Sequence, residues 1–218
     1  MIRLLRNREG SFTLEASLVF PVIFTTILIL LFFCLFIYQR MLLGQAAAVA
    51  AERSAYVWDN SKRESRTGAF AESQYDSLYW RFTDDGMLKS IFGISRQVPS
   101  DDLPLPIEGI PEDPLPLYKL YRTGKALPSG MTGTMKYENK LLLRKVEVSL
   151  SRLIPLVPLE RVIGDLTQEV QAESYVVEPV EWIRTVELAR YYGAKFKSDG
   201  GETMDKQEAG KALELFGK

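Results

Sequence analysis

Glu9-Gly10-Ser11-Phe12-Thr13-Leu14-Glu15-Ala16 introduces an apolar run that reaches Tyr38. Arg3, Arg6 and Arg8 precede it, and the 23 residues from Ala16 to Tyr38 carry no charge. At about 1.5 Å per helical residue the run extends roughly 35 Å, enough to cross a hydrocarbon core of about 30 Å with some tilt. A transmembrane helix is the expected structure. Its flanks set the direction, because basic residues stay on the cytoplasmic side and, after Arg40, the next one is Arg53. The N-terminus is expected inside the cytoplasmic membrane and residues 41–218 outside it.

Glu15 stands at the mouth of this run, where an ionised carboxylate is costly unless a cation meets it or it stays among headgroups. Cleavage after Gly10 would create an α-amino group on Ser11, four residues before that carboxylate. The order of basic leader, glycine, fifth-position glutamate and apolar run resembles the prepilin signal of type IV pilins. That resemblance implies a prepilin peptidase acting at Gly10, Ser11 as the new N-terminus, and Glu15 meeting the terminal amine of a neighbouring subunit. The chain departs from many pilins in beginning with Ser rather than Phe or Met and in reading FTLE rather than FTLIE. With Pro21 closing Glu15-Ala16-Ser17-Leu18-Val19-Phe20-Pro21, it is more similar to the minor pilins of tight-adherence systems, the TadE-like group. The likeness covers residues 10 to about 38, with a vaguer one near 146 to 178.

The resemblance implies a minor pilin or pseudopilin-like structural component of a tight-adherence pilus or its membrane assembly. Its implied partners are the membrane, a prepilin peptidase, other pilins and pilus assembly proteins, and its implied place is the membrane or a cell-surface filament. A single-pass signal anchor whose outer domain binds a ligand or partner has the same basic leader and apolar run. A secretory signal peptide cut near Gln45-Ala46-Ala47-Ala48-Val49-Ala50 offers A-x-A spacing, but its apolar region would far exceed the usual 7–15 residues or so.

Composition narrows the remaining functions. The net charge of −1 and pI near 5.8 give no broad positive field, so nucleic acid is not an expected partner. Histidine is absent, which removes the commonest general base and metal ligand. The single cysteine, Cys34, lies inside the apolar run, so no intrachain disulfide forms. No nucleophile and base pair, metal cluster or cofactor motif emerges, and an enzyme is not expected.

The expected fold class is α+β: a long N-terminal transmembrane and amphipathic helix, then a small extracytoplasmic domain with an antiparallel sheet and C-terminal helices. Residues 1–10 form the leader, 11–60 the helix and 61–218 the outer domain. Pro21 should free the carbonyl of Ser17 and kink the helix, with the hydroxyl of Thr25 or Ser17 meeting the freed group, or a neighbouring helix doing so. The kink is either tolerated or a device for packing helices in an assembly. Past Tyr38 the helix should continue to about Trp58, with Gln45, Glu52 and Asp59 on a polar stripe and Leu42, Ala46, Val49 and Val57 opposite. Tyr75, Leu78, Tyr79 and Phe82 have the spacing of a short helix ended by Asp84-Asp85-Gly86.

Residues 97–117 hold six of the eleven prolines and read as a loop. Gly130–Tyr137 leads into a strand in which Leu142, Arg144, Val146, Val148 and Leu150 share one face, Arg144 being the exception in kind. Leu166 to Val177 alternates again, and the two form an expected antiparallel pair. Pro179 suits the first turn of a helix stopping at Gly193, and Thr203 to Phe216 makes a last short helix.

Overall fold

The computed structural model describes residues 11–77, 80–85, 100–111, 114–140, 143–154, 160, 164 and 166–198. Its chain order is α1 (Ser11–Tyr56), α2 (Trp80–Thr83), β1 (Ser100–Leu105), α3 (Leu115–Gly124), β2 (Thr132–Lys140), β3 (Leu143–Leu153), β4 (Thr167–Tyr175) and α4 (Pro179–Ser198). This is the expected α+β class: a long apolar N-terminal helix, then an antiparallel four-stranded sheet with small helices. The chain divides into two compact units, Met1–Leu42 with Leu153–Gln168, and Leu43–Arg152 with Glu169–Lys218. The leader, Leu78, Tyr79, Gly86 and the expected helix from Thr203 to Phe216 lie outside the described residues.

In the first unit, α1 runs through Pro21 without interruption. Every described side chain from Ala16 to Leu31 is exposed, Leu18 at 72% and Phe20 at 70%, which only an apolar surround makes favourable. The hydroxyl of Thr25 donates to the Pro21 carbonyl at 2.7 Å and that of Thr26 to Val22 at 2.8 Å. Thr25 is therefore bonded one turn back to Pro21 rather than to Ser17, the pattern by which helical Ser and Thr bond the carbonyl at i−4. Gln168 donates from Nε2 to the Phe36 carbonyl at 2.9 Å, and Leu166 beside it in sequence is 2% exposed.

In the second unit, the C-terminal part of α1 turns from apolar all round to two-faced. Leu43, Ala47, Ala50, Ala51 and Ser54 are buried at helical spacing, while Gln45 and Glu52 are exposed. The polar stripe is as expected, but of the four residues expected opposite it only Val57 is buried: Leu42 is exposed, and Ala46 and Val49 are half-buried. Small residues decide this, since alanine and glycine let a helix approach a sheet closely. A Cβ on Gly44 would lie 3.6 Å from Val170 of β4.

The sheet has the order β1-β2-β3-β4. β2 and β3 pair antiparallel with Met135 opposite Val148, Tyr137 opposite Val146 and Asn139 opposite Arg144. Because side chains alternate across a strand, Met135, Tyr137, Val146, Val148 and Leu150 all face the core and are buried. Each such side chain contributes about 1.5–3 kcal/mol relative to exposure. They form one core with Leu43, Ala47, Trp58, Trp80, Leu103 and Leu120, where the rings of Trp58 and Tyr137 stack 4.2 Å apart. On β4 Gln168, Val170, Ala172 and Ser174 point inward and Thr167, Glu169, Gln171 and Glu173 outward, as the alternation predicts.

Three expectations change. Within the proline-rich stretch, Ser100–Leu105 is a strand, paired with β2 so that Pro104 lies opposite Thr134. It is an edge strand, the position where a missing N–H is tolerated. Pro114 and Pro116 seat the N-terminus of α3, where an N–H lacks a helical partner in any case. Next, α2 spans only Trp80–Thr83, and Tyr75 is exposed outside it. Finally, α4 passes through Gly193 to Ser198, since an interior glycine costs a helix only about 1 kcal/mol.

Candidate functional site

Ser11 is the first residue of α1, one position after Gly10, which lies outside the described residues. Glu15 is exposed on the same helix, and Pro21 follows inside it. The structure thus places Ser11, Glu15 and Pro21 on one continuous apolar helix, with the carboxylate about one turn from its start. Cys34 is a free, exposed thiol on that helix. One helix of this length and apolarity, at the N-terminus, fits a single-pass membrane protein.

Residues 10–52 match the family model of TadE-like protein. No curated protein and no solved structure matches the chain. The TadE-like segment begins at Gly10, contains Ser11, Glu15 and Pro21, and ends at Glu52 inside α1, before the sheet. That match spans 43 of the chain's 218 residues.

A cluster of buried charged side chains, of which only Arg144 stood out in the sequence, lies in the unit that carries the sheet. Arg81, on α2, is 3% exposed and contacts Glu178 through Nη2. Arg144 reaches the same Glu178 oxygen at 3.0 Å from β3, which explains an arginine on an otherwise apolar strand face. Asp85 lies 3.8 Å from Arg81 Nη1, accepts a hydrogen bond from the Tyr137 hydroxyl at 3.3 Å, and through its carbonyl accepts one from Asn139 at 3.1 Å. Burial pushes its carboxyl up from 3.8 to about 6, against the lowering pull of Arg81 and these hydrogen bonds.

Lys119 of α3 is buried beside them. It donates to the Trp58 carbonyl at 2.6 Å, pairs with Asp76 at 2.9 Å and sits 3.7 Å from the centre of the Trp80 ring. Burial lowers its ammonium from 10.5 to about 8, although Asp76 works in the opposite direction. Asp76 also accepts from the Ser61 backbone N–H at 2.7 Å. These charges join loop, helix and strand ends in one low-dielectric cluster. The one signal in the sequence was Arg144 itself, whose place on a buried face required a carboxylate from elsewhere.

Proposed function

We propose that this protein is a minor pilin or pseudopilin-like structural component of a tight-adherence pilus or its membrane base. The observation that carries this reading is the coincidence of the TadE-like segment with an exposed apolar helix starting at Ser11 and bearing Glu15. A prepilin peptidase removes residues 1–10 by cutting after Gly10. The amine made on Ser11 and the carboxylate of Glu15 on a neighbouring subunit then compensate each other where isolated charges are costly. The outer residues face away from the cytoplasm, and the partners are other pilins and assembly proteins; the role is structural, not enzymatic.

The test is the mass and N-terminal sequence of the protein extracted from cells that carry the peptidase. A chain starting at Ser11 is expected, and Gly10→Leu should retain Met1. Glu15→Gln should still be cut but should co-purify with pilus components far less than the wild type at matched membrane levels. Retention of Met1 by the wild type would leave the protein a signal anchor.

A further inference from the structure

The two edges of the sheet differ. β1 spans six residues, carries Pro104 and begins Ser100-Asp101-Asp102, the devices that keep an edge from pairing with foreign strands. β4 spans nine, Thr-Gln-Glu-Val-Gln-Ala-Glu-Ser-Tyr, with no proline, glycine or lysine. The Val176 N–H donates to the Arg144 carbonyl at 2.9 Å, so alternation turns the N–H and C=O of Tyr175, Glu173, Gln171 and Glu169 away from β3. Among the described residues no backbone hydrogen bond between elements meets them.

This edge ends in a cleft. Ser174 and Tyr175 form one wall of a space of about 720 Å³ whose other walls include Tyr56, Tyr75 and Glu52. The three tyrosines are 53–65% exposed, so their rings face the opening rather than the core. Of the carboxylates lining the cleft, Asp59 is met by Arg63 at 3.0 Å, Asp76 by Lys119 at 2.9 Å, Glu178 by Arg144 at 3.0 Å and Glu181 by Arg184. Glu52 has no ion pair among the described residues. An unmatched carboxylate among exposed tyrosine faces suits a cation carried on an aliphatic stem, held by charge and by the ring quadrupoles.

We infer that the outer edge of β4 and this cleft together receive an extended segment of a partner protein, added as a fifth strand, with an arginine or lysine beside Glu52. Main-chain hydrogen bonds along Glu169–Tyr175 supply attachment, and the cleft selects the basic side chain. Apart from Glu52, the last residue of the TadE-like segment, the surface lies outside that segment, and it does not depend on cleavage at Gly10.

Fluorescent peptides of alternating threonine and valine, about nine residues long to match a strand, with a central arginine or glutamate, test this against the full-length protein in detergent. Anisotropy should show the arginine peptide binding about tenfold or more tightly than the glutamate peptide, and less so at high salt. Glu52→Lys should remove that preference. Gln171→Pro, which deletes an outward donor but none directed at β3, should abolish binding of both peptides while near-ultraviolet circular dichroism is kept. In the wild type, saturating arginine peptide should slow amide exchange at Gln171 and Glu173. Equal binding of the two peptides, no binding at millimolar concentration, undiminished binding by folded Gln171→Pro, or unprotected amides at Gln171 and Glu173 would each overturn the inference.

Discussion

Arg144 at the start of β3 and Glu178 just before α4 hold each other at 3.0 Å, although 34 residues separate them in sequence. Glu178 also serves Arg81, so two guanidiniums depend on one buried carboxylate. Glu178→Gln should therefore destabilise the protein by about 3–5 kcal/mol, because Arg144 loses its counter-charge and Arg81 keeps only Asp85 and Glu181, each at 3.8 Å. Arg144→Met should cost less, since Arg81 still answers Glu178. Urea midpoints of the two variants, followed by tryptophan fluorescence, give the order; a larger loss in Arg144→Met would contradict the shared-carboxylate arrangement.

Asp85 gives an acid-range signature. Its carboxyl ionises near 3.8 when unfolded and near 6 when folded, so the native state holds the extra proton between those values. Stability from this group is greatest below about pH 4 and is lost as pH rises through 6, a change of roughly 3 kcal/mol. Asp85→Asn should flatten that part of the profile while leaving room for the Tyr137 hydrogen bond. Unfolding midpoints from pH 4 to 7 for both proteins measure the difference.

Lys119 acts in the alkaline range with the opposite slope. Folding lowers its ammonium from 10.5 to about 8, so between these values the unfolded chain binds more protons and stability rises with pH. The gain is roughly 3 kcal/mol at full extent. Lys119→Met should lose this rise. Denaturant titrations from pH 7.5 to 10 would show it as a midpoint that no longer climbs.

Two glycines should respond oppositely to alanine. A Cβ on Gly133, at φ 152°, would lie 2.0 Å from the Ser149 carbonyl oxygen across the β2–β3 pair, where backbone has no room to yield. Gly133→Ala should cost on the order of 3 kcal/mol or more. Gly44→Ala meets Val170 at an ordinary 3.6 Å and removes glycine from a helix interior, so a gain of up to about 1 kcal/mol is expected. Melting temperatures of the two variants separate the cases.

What the sequence made legible was local periodicity. The run from Ala16 and the alternation Arg144, Val146, Val148, Leu150 each declare their element, because 3.6 and 2.0 are properties of neighbours along the chain. The family likeness near Glu15 was legible for the same reason: its residues are contiguous. Illegible were features decided by tertiary position. Pro104 argues against a strand until one knows that Ser100–Leu105 lies at a sheet edge. Leu42 and Leu43 are equivalent in composition, yet only Leu43 is buried, since Gly44, Ala47 and Ala51 fix which side of α1 comes close to the sheet. The cluster of Arg81, Asp85, Lys119 and Glu178 draws on α2, α3 and the approach to α4, and beyond the i,i+4 step from Arg81 to Asp85 no spacing rule connects them.

A sheet with one blocked side cannot extend itself by stacking copies in line, because each new copy would have to lay β4 against a β1 that carries Pro104 and two aspartates. Edge-to-edge growth of this kind therefore ends at the first β1 it meets. Protein crowded on a membrane gains protection against runaway strand pairing while keeping β4 available.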